Sequence, residues 1–495
     1  MYPLFLSSVK SLDEHINDFV SFLTSWFYDL MFEEIPISDS LGVPWVLIVL
    51  FLAALFFTVY FRLINLRGIP RSISILRGKL DELEEKGEKV EGQLSHFQAL
   101  TAAISATVGL GNIAGVAIAL SIGGYGATFW MIVLGFLGMA TKLVECTLGV
   151  RYRQLTSDGV VLGGPMYYLS KGLGEVGFKN AGSLLAVLFA LMCVGASFGG
   201  GNMFQSNQAF ELTKHMLGGE LGWWAGRGWL FGLIFASFVG VVIIGGIQKI
   251  AKVTERIVPL MVLVYLICVL CVLITNGDNI SIALTKMFSA AFSWESVGGG
   301  MLGAIIQGFR RAAFSNEAGV GSASIAHAAV KTKYPASEGY VALLEPFIDT
   351  VVVCTLTALT LMVSGVLDTE IIPDFAQGAV MTANALATVN SYFPYLLLLC
   401  VLLFAFSSMI SWSYYGLQAW TYLFGKGRRR ELLYKFVFCL CVMLGAAASL
   451  GAVIDFCDAM IFGMMVPNII GLFLLRNKVR ESLDEYDKVV EEKLR

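Results

Sequence analysis

Charge is scarce in this sequence. Of 495 residues only 14% are Asp, Glu, Lys or Arg, where a soluble domain carries about 25%. So little charge cannot clothe a water-facing surface, which excludes an ordinary soluble enzyme and a disordered chain. Neither sign dominates. The 34 basic residues against 37 acidic ones leave a net charge of −3, which gives no basic field for nucleic acid. Histidine is rarer still, at four. No His-Glu-x-x-His pair and no Gly-x-x-x-x-Gly-Lys-Ser/Thr loop occurs, so an enzyme of those zinc or nucleotide classes lacks its carriers. The nine cysteines (Cys146, Cys193, Cys268, Cys271, Cys354, Cys400, Cys439, Cys441 and Cys457) sit almost entirely inside apolar runs, where a thiol behaves as a small apolar group. Cys268-x-x-Cys271 has a redox or zinc spacing, but it falls inside a helical run with no histidine near, and packing is the better reading.

What is present is hydrocarbon. Apolar residues make up 57% of the chain, and about 20 of them in a helix cross about 30 Å of bilayer. Long apolar runs lie at 44–64, 97–121, 124–150, 182–212, 228–247, 254–275, 298–330, 338–364, 393–424, 433–451 and 455–476. They do not alternate in polarity, which excludes a β-barrel. The expected fold class is all-α and polytopic, with about 11 transmembrane helices. Residues 1–43 read as an acidic, extracytoplasmic segment with an amphipathic helix near Leu12–Phe32. Asp13, Glu14 and Asp18 precede any long apolar run, unlike a cleavable signal peptide. Residues 67–92 read as a charged helix outside the bilayer, 365–392 as an external loop with short helices, and 477–495 as a cytoplasmic tail. Lys and Arg concentrate in the loops 62–91, 142–179, 248–256, 331–333 and 426–430. A path of about 11 spans puts all of these on the cytoplasmic side, the N-terminus outside and the C-terminus inside a cell membrane.

Two of the runs carry the chemistry. Segment 97–121 holds Thr107, Gly109, Gly111 and Asn112 at its centre, and segment 298–330 holds Phe314, Ser315, Asn316, Glu317, Gly319 and Gly321. Each glycine costs a helix about 1 kcal/mol against alanine, so both segments are expected to be broken. Each opens a set of five segments, 97–275 and 276–476, after an extra span and charged helix over 44–96. Broken helices at matching positions of two halves, running in opposite senses, mark the binding site of a secondary transporter. At a break, free N–H groups suit a carboxylate and free C=O groups suit Na⁺ or an ammonium. A zwitterionic amino acid fits both, and Asn112 adds an amide.

Five stretches then resemble the alanine or glycine:cation symporter family of the amino acid-polyamine-organocation superfamily. They are Ser95-His-Phe-Gln-Ala-Leu-Thr101, Val108-Gly-Leu-Gly-Asn-Ile-Ala-Gly115, Gly163-Gly-Pro-Met-Tyr167, Gly308-Phe-Arg-Arg-Ala-Ala-Phe-Ser-Asn-Glu-Ala-Gly319 and Trp412-Ser-Tyr-Tyr-Gly416. The resemblance covers 44–476 and implies the 5+5 inverted repeat of the bacterial leucine transporter, preceded by one extra span. It implies import of alanine or glycine with Na⁺, or sometimes H⁺. Substrate is expected between the Gly109, Gly111 and Asn112 break and Phe314, with Gln205 and Trp412 completing the pocket. Na⁺ is expected between the hydroxyls of Ser407 and Ser408 and the carbonyls of Ser105, Val108 and Phe404. A second cation near Asn112 is a weaker expectation. The stretch 1–43 is longer than the family pattern.

The expectation is a carrier for a small neutral amino acid, with Na⁺ as co-transported ion and no organic cofactor. Its partners are the amino acid and the lipid bilayer, with no nucleic acid and no obligate protein partner. The rivals are H⁺ coupling and a channel. Arg310, Arg311 and Glu317 are expected to brace the second break, Glu345 and Asp349 to share a helix face, and Lys142 and Glu145 to lie near a membrane boundary. Glu317 or Asp349 carrying a proton is the mechanistic rival, and His327 is expected near the cytoplasmic end of its helix.

Overall fold

The structure is a computed structural model that describes residues 25–38, 41–80, 92–157, 159–293, 300–368 and 378–494. The expected helix near Leu12–Phe32 lies mostly outside the described residues. Two small antiparallel ribbons, β1 (Glu34–Ser38) with β2 (Leu41–Pro44) and β3 (Gln154–Leu155) with β4 (Val161–Leu162), are the strands among them. The rest is helix and connecting turns.

α1 (Trp45–Tyr60) is apolar throughout and leads into α2 (Ile69–Leu76). The first interrupted rod is α3 (His96–Thr107) and α4 (Gly111–Gly123), bent by 49°. α3 starts where it does because Ser95 and Gln98 form a capping box: each side chain accepts the other's backbone N–H at 3.2 Å. α5 (Gly126–Arg151), α6 (Lys179–Met216), α7 (Gly228–Ile243), α8 (Gly246–Thr275) and α9 (Ile280–Ala291) follow. The second interrupted rod is α10 (Gly300–Asn316) and α11 (Ala323–His327). Then come α12 (Pro335–Val363), α13 (Gly378–Ala387), α14 (Phe393–Phe424), α15 (Arg428–Ala447) and α16 (Leu450–Leu494).

Among the described residues six helices are long and apolar enough to cross a membrane, or eight if each bent pair counts as one span. Three more of the expected spans coincide with α7, α10 and α15. The first two have 16 and 17 residues, about 24–26 Å at 1.5 Å per residue, and the third opens on Arg428, Arg429 and Arg430. Elsewhere the structure departs from the sequence reading. α9 occupies part of 276–297, which carried no expected span. Its Ala283, Met287 and Ala291 repeat every four residues and are buried, the stripe of a helix lying against a core. α8 starts eight residues before the expected 254, and the expected tail, as far as residue 494, is helical and continuous with α16.

Two long rods organise the packing. α5 touches α1, α10, α11 and α12, and α14 touches α3, α6 and α8. The second rod therefore leans on α5 and the first on α14. Widened π-helical turns occur in α4 at Gly111–Gly115, in α6 at Gly199–Met203 and in α12 at Phe347–Cys354. Such turns shift the faces of a helix and gather at functional sites. The one at Phe347–Cys354 parts Glu345 from Asp349, which face different partners.

Candidate substrate and cation site

The first rod unwinds at Val108, which leaves the helix at φ −74, ψ 95. The loop is then held from within: Gly109 N–H donates to Asn112 Oδ1 at 2.8 Å, and Asn112 N–H to Gly109 O at 3.2 Å. The second rod stops at Asn316, whose Oδ1 accepts the Ala318 N–H at 2.9 Å. Glu317 then turns left-handed at φ +55, a region that residues with a side chain seldom enter. The two breaks touch: a side chain on Gly111 would meet Ser315 Cα at 3.4 Å.

Four of the five expected cation ligands, Ser105, Phe404, Ser407 and Ser408, come together where α3 meets α14. Ser408 Oγ donates to Ser105 O at 3.0 Å, Ser105 Oγ to Ser407 O at 2.8 Å, and Ser407 Oγ to Phe404 O at 3.0 Å. Ser411 Oγ adds a contact to Ser105 Oγ at 3.1 Å. Val108 is buried one turn on. Gly109 is needed here, because a Cβ at that position would sit 2.6 Å from Ser408 Oγ. The result is a nest of neutral oxygens, the donor set a hard monovalent cation takes without adding net charge to the membrane interior.

Four of the six expected substrate residues line one small cavity: Gly111, Gln205, Phe314 and Trp412, together with Ala106, Thr107, Gly200, Glu317 and Ile461. It has room for about one water, so these walls are closed on one another. Gln205 holds both sides, accepting the Leu110 N–H at 3.4 Å and donating to Gly200 O at 3.0 Å. Trp412 packs so tightly on Gly201 that any Cβ there would overlap its ring. Gly109 and Asn112 lie outside this lining. The Asn112 amide donates to Asp349 Oδ1 at 2.6 Å and Asp349 O at 3.0 Å.

Asp349 and Glu317 are the acidic groups of the site. Asp349 is fully buried among neutral donors: Asn112, Ser315 Oγ at 2.8 Å and Thr350 Oγ1 at 2.7 Å. Glu317 accepts from Trp412 Nε1 at 3.0 Å and from Ser322 Oγ. The other buried charges are paired away from the pocket. Arg310 Nε donates to Asp458 Oδ2 at 2.6 Å, Arg311 uses the same oxygen, and the Arg310 guanidinium lies over the rings of Tyr28 and Phe32. Lys142 and Glu145 are fully buried and not at a rim. Lys142 Nζ is 3.0 Å from Glu345 Oε2, and Glu145 accepts from Asn468 at 2.8 Å. His327, at the end of α11, bridges Glu338 at 2.5 Å and Glu345 at 2.7 Å, and His96 also pairs with Glu338.

Two interrupted rods touching at a closed polar pocket, with an oxygen nest beside it and long apolar helices around it, define a multi-pass membrane transporter. The chain belongs to the sodium:alanine symporter family, whose model matches residues 31–495. The sodium/alanine symporter AgcS of Methanococcus maripaludis is 38% identical over 448 residues, 90% of this chain and 95% of that one. The probable sodium/glutamine symporter GlnT of Bacillus subtilis is 33% identical over 444 residues, 89% of this chain and 88% of that one. The crystal structure of MhsT in complex with L-phenylalanine matches with a TM-score of 0.57 at 16% identity, over 79% of this chain and 90% of that one. That likeness is of the fold alone. Family membership implies Na⁺ co-transport and an amino-acid cargo such as alanine, and it describes a transporter and not an enzyme.

Proposed function

We propose that the protein imports alanine or glycine together with Na⁺ by alternating access, on a 5+5 inverted repeat of about 11 spans, with the N-terminus outside and the C-terminus in the cytoplasm. The observation that carries the reading is the crossing of α3 and α14. There Ser407 and Ser408 meet Ser105 beside the pocket of Gly111, Gln205, Phe314 and Trp412. Na⁺ held by Ser105, Val108, Phe404, Ser407 and Ser408 ties the first half-rod to α14 and so fixes one wall of the pocket. Phe314 and Trp412 leave room for a methyl group at most. The substrate carboxylate takes the peptide groups at Gly111, where the break lines the pocket, with Asn112 holding the Gly109 end of the loop in shape. One Na⁺ entering across about 100 mV supplies about 2.3 kcal/mol from voltage, and its concentration gradient adds to this. Loss of the cation frees α3 to move, and the substrate leaves.

The solute is the finer point, since one relative is named for alanine and another for glutamine. The closed pocket favours the smaller. H⁺ coupling is the second reading, carried by Asp349, a buried carboxylate with only neutral donors around it. Uptake of radiolabelled alanine into proteoliposomes, with Na⁺ and pH gradients imposed separately, decides between them. Accumulation on a Na⁺ gradient alone is expected, whereas accumulation on a pH gradient alone sinks the Na⁺ assignment. Unitary current steps without saturable uptake point to a channel.

A further inference from the structure

Glu317 is the one ionisable residue among those lining the pocket; the others are Ala106, Thr107, Gly111, Gly200, Gln205, Phe314, Trp412 and Ile461. Its side chain is buried, 2% exposed. Each carboxylate oxygen has one neutral donor, Trp412 Nε1 at 3.0 Å on Oε1 and Ser322 Oγ on Oε2. A carboxylate offers about four acceptor positions, so about half of its capacity is unused. No ion pair among the described residues involves it. The neighbouring ammonium of Lys142 is committed to Glu345 at 3.0 Å, and both arginines of α10 are committed to Asp458. A buried carboxylate without a cation is held at a desolvation cost that a pairing cation relieves. The backbone adds a second sign, since Glu317 sits at φ +55, and strained positions of this kind gather where a ligand is clamped.

We infer that the Glu317 carboxylate is the counter-charge for the α-ammonium of the transported amino acid, and that it is the specificity-determining group that rejects solutes of the same size lacking an amine. This rests on the proposed function and deepens it. The zwitterion then spans the two breaks, its carboxylate on the first and its ammonium on the second. A zwitterion adds no net charge to the pocket, whereas a carboxylate without the ammonium adds a second negative charge beside Glu317. The Trp412 indole, held by the same carboxylate, closes over the solute as a wall, so charge recognition and side-chain size are set from one residue.

Lactate is the discriminating probe, because it replaces the ammonium of alanine by a hydroxyl at nearly unchanged size. Displacement of labelled alanine from purified protein in Na⁺ is measured with alanine and with lactate as competitors. Wild-type protein is expected to need at least about a hundredfold more lactate. Glu317→Gln keeps an acceptor for Trp412 but no charge, and it is expected to narrow that ratio at least about tenfold, chiefly by weakening alanine. Glu317→Asp keeps the charge and is expected to keep the ratio. Trp412→Phe keeps the carboxylate and is expected to keep the ratio while admitting bulkier amino acids. A Glu317→Gln protein that still prefers alanine as sharply as wild type overturns the inference alone. If that variant does not fold, Glu317→Asp decides: equal binding of lactate and alanine overturns it, and retained preference upholds it. A wild type with no preference for alanine overturns the proposed function as well.

Discussion

In the proposed cation site Ser408 acts through one contact, the 3.0 Å bond from its hydroxyl to the Ser105 carbonyl on α3. In water such a bond is worth about 1 kcal/mol, and one to an ion about twice that. Ser408→Ala is therefore expected to raise the Na⁺ concentration for half-maximal alanine uptake about tenfold. The maximal rate at saturating Na⁺ should change much less, and unchanged Na⁺ dependence removes Ser408 from the site. Gly201 makes the opposite demand, for space. Gly201→Ala drives a methyl into the Trp412 ring, and overpacking of this kind costs about 1–3 kcal/mol. A lower melting temperature in detergent is expected, with partial recovery in Gly201→Ala/Trp412→Leu.

At the scale of elements, the first break is held from another helix, and a buried ion pair joins two of the helices around it. Asn112 reaches Asp349 on α12, and Lys142 on α5 meets Glu345 on α12. Lys142→Met leaves the buried Glu345 with His327 alone. Stranding one member of a buried pair costs about 3–5 kcal/mol, whereas replacing both by apolar groups is close to neutral. Lys142→Met should therefore lower thermal stability sharply, and Lys142→Met/Glu345→Leu should regain much of it. Similar stability of the single and double variants would show that the pair does not couple α5 to α12. Asn112→Ala removes the acceptor of the Gly109 N–H and a donor to Asp349 together. It is expected to weaken alanine and Na⁺ binding in parallel, measured by isothermal titration, because the loop serving both loses its internal brace.

For the whole molecule, a cation bound only to the folded state must stabilise it. At about 100 times its dissociation constant the gain is about 2.7 kcal/mol. The melting temperature should therefore rise with NaCl and not with KCl at equal ionic strength. The orientation is tested by a tag at residue 1, expected outside, and a cysteine placed at Gly427, expected to react only from the cytoplasmic side. The described part of the N-terminal segment also has a place in the assembly, since Tyr28 and Phe32 lie against Arg310 of the second rod.

The sequence by itself determined the solvent of this protein and the two points where its rods fail. Scarce charge, long apolar runs and paired glycines with polar neighbours act locally, through hydration and helix propensity, and need no knowledge of the fold. The hydroxyls of Ser407 and Ser408 were legible only through the resemblance to the symporter family, because a serine in an apolar helix ordinarily bonds its own backbone. Tertiary structure decided which groups meet. Asn112 and Asp349 are 237 residues apart, and a helical pattern gives the face of a residue but not the helix opposite. The widened turns at Gly199–Met203 and Phe347–Cys354 rotate those faces further, because the extra residue in each is stabilised by neighbours on other helices and not by propensity. That is why Glu317 stands out in sequence only as a charge near a break, while the fold makes it the lone ionisable wall of the pocket.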